Sequence, residues 1–184
     1  ACAITDHGNL FGAIEFYDMA MKVGVKPIIG CEVYIAPSSR FDKSSHGIQE
    51  ASFHLVLLAK NEIGYKNLLK LTSAGFLEGF YYRPRIDKEI LSQHKDGLIC
   101  LSACLKGEIP HLIYTNQTDQ ARKTADEYKS IFGKDNFYLE IQDNGIPEQD
   151  TVNEGLIRMS KDLSLGLVAT NDVHYMERDH SRAH

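Results

Sequence analysis

The feature that most constrains this chain is a regular alternation in which short apolar runs bounded by turn residues give way to stretches of helical periodicity. That alternation is the pattern of repeated strand–helix units, which cover a largely parallel sheet on its faces. Strands are expected near 1–5, 27–36, 53–59, 97–102, 136–141 and 166–170. Helices fit 10–23, 61–78, 87–94, 105–114, 118–131 and 147–164. Asn61 and Asp87 stand where short polar side chains accept the free amide hydrogens of a first helical turn. Gly24, Gly79 and Gly133 follow helical stretches, where a left-handed C-cap favours glycine. Six such units make a barrel or a doubly wound sheet. The polar segment 37–51 reads as a long surface loop. With 184 residues, 43% of them hydrophobic, the chain suits one domain, 1–184, around a single core.

Charge narrows the partners only weakly. Twenty basic and 25 acidic residues give a formal charge of −5, so any contact with DNA must come from local chemistry rather than a basic surface. No run approaches the roughly 18 apolar residues of a membrane span, and no secretory leader pattern opens the chain. A cytoplasmic protein is expected. The four cysteines, Cys2, Cys31, Cys100 and Cys104, lack CxxC spacing and mostly sit in apolar runs, which suits a reducing compartment. If extended, Cys100 and Cys104 are about 13 Å apart, beyond the reach of a disulfide, so both are expected as free thiols or ligands. The opening at Ala1 without an initiator methionine, and the ending Ser181-Arg182-Ala183-His184, read as a segment of something longer.

Polar residues inside or at the ends of buried strands need a physical reason. In Thr5-Asp6-His7-Gly8 a strand ends in an acid and a histidine; either Asp6 caps a helix beside an exposed imidazole, or His7 stands at a strand's C-terminal edge, where barrel enzymes assemble their sites. Glu32 interrupts the apolar run Ile28 to Ile35, and alternation puts it on one face with Gly30 and Tyr34. An unpaired buried carboxylate costs several kcal/mol, so a cation, a metal or a basic partner is expected unless Glu32 reaches water. His54 opens Phe53-His54-Leu55-Val56-Leu57-Leu58 and suits a hydrogen-bonded structural histidine as well as a ligand. It falls at its strand's start, the wrong end for a site built at strand C-termini. Asp172 and His174 lie two residues apart and share a face if extended, presenting an oxygen and a nitrogen to one or two metal ions. Cys104 falls at a strand-to-helix junction, where a helix N-terminus favours thiolate; its alternative is a small buried hydrophobe. Together these residues offer N, O and S donors suited to zinc, with manganese or iron as substitutes, and a multinuclear cluster of that kind activates water and clamps phosphate oxygens.

Thr5-Asp6-His7-Gly8, Gly30-Cys31-Glu32-Val33-Tyr34, His54-Leu55-Val56-Leu57-Leu58-Ala59 and Asn171-Asp172-Val173-His174-Tyr175 resemble successive motifs of the polymerase-and-histidinol-phosphatase (PHP) family. Gly79-Phe80-Tyr81-Tyr82-Arg83-Pro84-Arg85-Ile86-Asp87 and Leu101-Ser102-Ala103-Cys104-Leu105-Lys106-Gly107-Glu108-Ile109 look like its polymerase branch, the domain carried by bacterial replicative DNA polymerase III alpha subunits. The resemblance implies a distorted βα barrel with a three-metal site and phosphoester hydrolysis. It implies His7, Glu32, His54, Cys104, Asp172 and His174 as metal ligands, with Glu32 and Asp172 also catalytic, and cysteine standing where phosphatase relatives commonly have histidine. The family's first motif, a His-x-His on the opening strand, would precede Ala1, so the barrel is expected to be incomplete at its N-terminal strand. The activity implied for the intact protein is a metal-dependent 3′→5′ exonuclease or phosphoesterase attached to a DNA polymerase, with DNA, other polymerase domains and replisome subunits as partners. The competing reading is a non-catalytic module that braces the polymerase; a free-standing phosphatase is disfavoured by the Tyr81 to Asp87 stretch and by Cys104. Arg83 and Arg85 are candidate phosphate contacts, or else solvated loop cations.

Overall fold

The computed structural model describes residues 1–44 and 51–183. Part of the expected loop 37–51 therefore lies outside the described residues. The strands are β1 (Cys2–Ile4), β2 (Pro27–Ile35), β3 (Phe53–Ala59), β4 (Arg85–Ile86), β5 (Leu98–Leu101), β6 (Phe137–Gln142) and β7 (Gly166–Thr170). The helices are α1 (Ala13–Lys22), α2 (Glu62–Leu77), α3 (Lys88–Gln93), α4 (Glu108–Tyr114), α5 (Thr118–Phe132) and α6 (Pro147–Leu163), with a closing 3-10 turn at Arg178–Ala183. Asn61 accepts from the Gly64 amide and Asp87 from the Ile90 amide, so both expected caps form. Gly24 and Gly133 have positive φ. Gly79 does not serve as a left-handed cap: a Cβ there would fall 1.8 Å from the Arg85 carbonyl oxygen, so close backbone approach is what requires glycine.

The sheet runs β1-β2-β3-β5-β6-β7, with β4 pairing the end of β2 on the side that β1 occupies at its start. Its ends, β1 and β7, face each other across a hollow of about 640 Å³ lined by Cys2–Ile4 from one and Val168 and Thr170 from the other. The expected parallel sheet is corrected at one strand, because β3 runs antiparallel to both β2 and β5. The cause is local: among the described residues no helix stands between β2 and β3, and a chain that does not cross over returns antiparallel. With β3 reversed, its first residues lie beside the last residues of β2. The start of β3 and the C-terminal edge of the parallel strands are then the same end of the sheet.

Register assigns each face. Paired residues share a side, so Glu32↔Val56, Tyr34↔His54, Val56↔Leu101, Leu101↔Tyr138, Glu140↔Val168 and Gln142↔Thr170 place one continuous set on the concave face. The opposite set, including Cys31, Val33, Ile35, Leu55, Leu57, Cys100 and Leu139, packs under Leu68 and Leu71 of α2, Ile109 of α4, Tyr128 of α5 and Leu156 of α6. The helices thus cover the convex face and leave the concave one for the site. Cys31 and Cys100 are fully buried free thiols.

Candidate metal centre

Four local features bring the donors to one end of the sheet. His7 follows β1 and pairs with Glu32 in a parallel bridge, closed by the Gly8 amide on the Glu32 carbonyl and the Glu32 amide on the Asp6 carbonyl. Tyr34 and His54 are cross-strand neighbours, which sets His54 one pleat from Glu32 on the same face. Cys104 sits in a turn between β5 and α4, just after Ala103, whose φ is +63°. Asp172 and His174 lie beyond the end of β7.

Glu32 is the hub, only 3% exposed. Its Oε1 accepts a short hydrogen bond from His54 Nδ1 and lies 3.4 Å from His7 Nε2. Cys104 Sγ is 4.0 Å from the same oxygen and 3.9 Å from His54 Nδ1. The His7 ring stands 5.2 Å from that of His54 and 5.6 Å from that of His174. His7, His54, Cys104, Asp172 and His174 line one cleft of about 450 Å³ with Tyr34, Arg83 and Lys106. All six residues proposed as ligands therefore meet, although they come from nearly the whole length of the chain.

The Asp172–His174 pair arrives differently from the extended arrangement expected. Asp172 has φ +49°, and His174 Nδ1 lies 2.8 Å from the Asp172 carbonyl oxygen, so a tight turn and not a strand aims the pair. Cys104 also departs from expectation. It precedes α4 rather than opening it, and burial, with the charge of Glu32 adding to it, pushes its thiol up to about 12 in the absence of a cation. Burial works against ionisation of Glu32, but the hydrogen bonds from His54 and His7 outweigh it and hold the carboxyl at about 2. The bond to Glu32 likewise raises His7, and burial followed by the charge of Glu32 raises Asp172.

Arg83 and Arg85 separate. Arg83 lines the cleft, donates to the Tyr34 hydroxyl and lies 4.8 Å over the Tyr34 ring. Arg85 is 1% exposed, and its guanidinium donates to the carbonyls of Gly79, Ala51, Arg40 and Asp42. It ties Arg40, Asp42 and Ala51 to Gly79 and is not brought to the cleft. Lys106 and Glu140 were missed by sequence reasoning. Lys106 gives no sequence signal, whereas Glu140 carries the one that singled out Glu32, a carboxylate within an apolar strand run.

The donor set fits a divalent cation. One nitrogen each from His7 and His54 and one oxygen from Glu32 lie within 4.8 Å of one another, with a thiol and a second carboxylate–imidazole pair beside them. The family model described as "PHP domain" matches residues 1–144. The chain belongs to the PHP family. Over 181 residues this PHP domain is 55% identical to DNA polymerase III subunit alpha of Borreliella burgdorferi, covering 98% of the chain and 16% of that relative. It is 54% identical over 185 residues to the DNA polymerase III subunit alpha of Thermus aquaticus, covering 100% of the chain and 15% of the relative. The PHP domain thus spans about 16% of the length of the relatives it matches. In fold it is similar to a solved structure from Bifidobacterium adolescentis assigned as a metal-dependent phosphoesterase, with a TM-score of 0.51 at 12% identity over 98% of this chain and 83% of that one.

Proposed function

We propose that this PHP domain is part of a bacterial replicative DNA polymerase III alpha subunit, a DNA-directed DNA polymerase, and works there as a metal-dependent phosphodiesterase that removes 3′-terminal nucleotides. The observation that carries the reading is the convergence of His7, Glu32, His54, Cys104, Asp172 and His174 on one cleft. Zinc is the preferred occupant on the mixed N, O and S donors, with manganese or iron as substitutes. When bound, such ions supply Lewis acidity toward phosphate oxygens and lower the pKa of water. Glu32 orients both imidazoles and balances cationic charge, Asp172 adds a second carboxylate, and Arg83, with Lys106 at the mouth, is placed to meet a phosphate. DNA, other polymerase domains and replisome subunits are the proposed partners. Among the described residues no helix is long and apolar enough to cross a membrane, and the proposed location is the cytoplasm.

A second reading, a bracing module whose metals only stabilise it, is supported by exposed apolar side chains such as Phe11 and Leu77, both 85% exposed. The experiment that separates them compares the full-length protein with its Glu32→Ala variant on a primer carrying a 3′ mismatch. The exonuclease reading expects cleavage to fall by about a hundredfold or more while primer extension persists. Absence of metal-dependent cleavage in the wild type would leave the bracing module standing.

A further inference from the structure

The concave face holds one more buried carboxylate that the proposed ligand set does not use. Glu140 on β6 is 5% exposed. Its Oε2 accepts from the backbone amide of Ala103 at 3.1 Å. Its Oε1 accepts from the Thr170 hydroxyl in a short bond and from Gln142 Nε2 at 3.1 Å. Its own amide donates to the Ser102 hydroxyl at 2.9 Å.

The two arms of this carboxylate end at informative places. Ala103 is the left-handed residue immediately before Cys104, and Thr170 is the last residue of β7, two before the left-handed Asp172. An alanine held at positive φ is strained and persists only where its surroundings fix it. The Glu140–Ala103 bond is such a constraint. Gln142 extends the support: its side-chain oxygen accepts from Gln149 Nε2, whose Oε1 accepts from the Asn144 amide, and its carbonyl accepts from Asn153 Nδ2.

We infer that Glu140 is a positioning residue that ties the Cys104 turn to the Asp172–His174 turn and so sets the spacing of two donor groups supplied by different strands. Glu140 is not among the residues lining the cleft; it lines the adjoining hollow between β1 and β7 and acts through Ala103 and Thr170. The inference rests on the reading of the cleft as a metal site. Loss of such support behind metal ligands typically weakens metal binding about ten- to a hundredfold.

The test uses full-length protein stripped with a chelator and titrated with Co²⁺, read by absorption. A sulfur-to-cobalt charge-transfer band reports Cys104, the visible bands report coordination geometry, and a Cys104→Ser variant identifies the sulfur band. Glu140→Ala is expected to weaken Co²⁺ binding about ten- to a hundredfold and to lose or displace the sulfur band. Glu140→Gln, which keeps an acceptor for the Ala103 amide, is expected to restore most of both. Thr170→Val removes one arm only and should weaken binding with the sulfur band in place; it decides the matter if Glu140→Ala does not fold. A folded Glu140→Ala variant with wild-type affinity and spectrum overturns the inference and leaves the metal site intact, as does wild-type behaviour of Thr170→Val in the other case. Cobalt bound by the wild type without a sulfur band also overturns it. If the wild type takes up no cobalt at all, the metal reading fails and this inference falls with it, an outcome recognisable because wild type and variants are equally inert.

Discussion

His54 lies directly across from Tyr34 in the antiparallel pairing of β2 with β3, and this pairing turns its imidazole onto Glu32. Were β3 parallel, the same residue would open its strand at the far end of the sheet. The direction of one strand decides whether the cleft has a second imidazole at its hub.

Replacing Glu32 by alanine removes the acceptor shared by His54 and His7. Purified Glu32→Ala protein is expected to carry less than half the metal of the wild type by elemental analysis. Its metal-free form should be less stable by about 1–3 kcal/mol, because buried His54 loses its partner. Unchanged metal content would show that the hub is not Glu32.

The two arginines of the Arg83-Pro84-Arg85 stretch should behave as different kinds of residue. Arg85→Met strips four backbone carbonyls of their donor and is expected to cost about 2–4 kcal/mol in urea denaturation. Arg83→Ala should leave the denaturation midpoint nearly unchanged and weaken phosphate-bearing ligands instead. Equal destabilisation by both would contradict this division.

Alkaline stability should carry the mark of Cys31. Burial pushes its thiol up to about 12 from the ordinary 9, so the folded state holds the proton more tightly than the unfolded chain. The stabilisation is complete below pH 9 and is lost as the pH rises toward 12, at up to about 1.4 kcal/mol per pH unit. A Cys31→Ala variant should show a shallower decline across that window in denaturant midpoints. A slope as steep as the wild type's would remove Cys31 from the account.

Asn61→Ala should destabilise the fold by about 0.5–2 kcal/mol through loss of the cap on α2, with the cleft unaffected. Thermal unfolding measures the first part, and metal content checks the second.

Most elements were legible because hydrophobic period and capping residues are local signals, and Asn61 and Asp87 cap the helices they were expected to cap. Glu32 was legible for a global reason expressed locally, since a carboxylate in an apolar strand demands a partner. The direction of β3 was not, because it depends on what connects the strands and not on the strand's own residues. Nor was the role of Arg85: nothing near it in sequence announces that the carbonyls of Arg40, Asp42 and Ala51 will need a donor. The left-handed Asp172 was invisible as well, because its turn is tied in place through Thr170 and Glu140.

The donors of the cleft are drawn from residue 7 to residue 174, so an early segment can bring together His7, Glu32 and His54 but not the whole set. A chain emerging from the ribosome would hold its first imidazole and its hub carboxylate long before Asp172 and His174 exist to complete the set. Contacts of such long sequence separation form late, after the loop-closure entropy of nearly the whole domain has been met. Completion of this cleft would then mark the end of folding, and a chain truncated before β7 would carry His7, Glu32, His54 and Cys104 but lack the Asp172 and His174 that close the set.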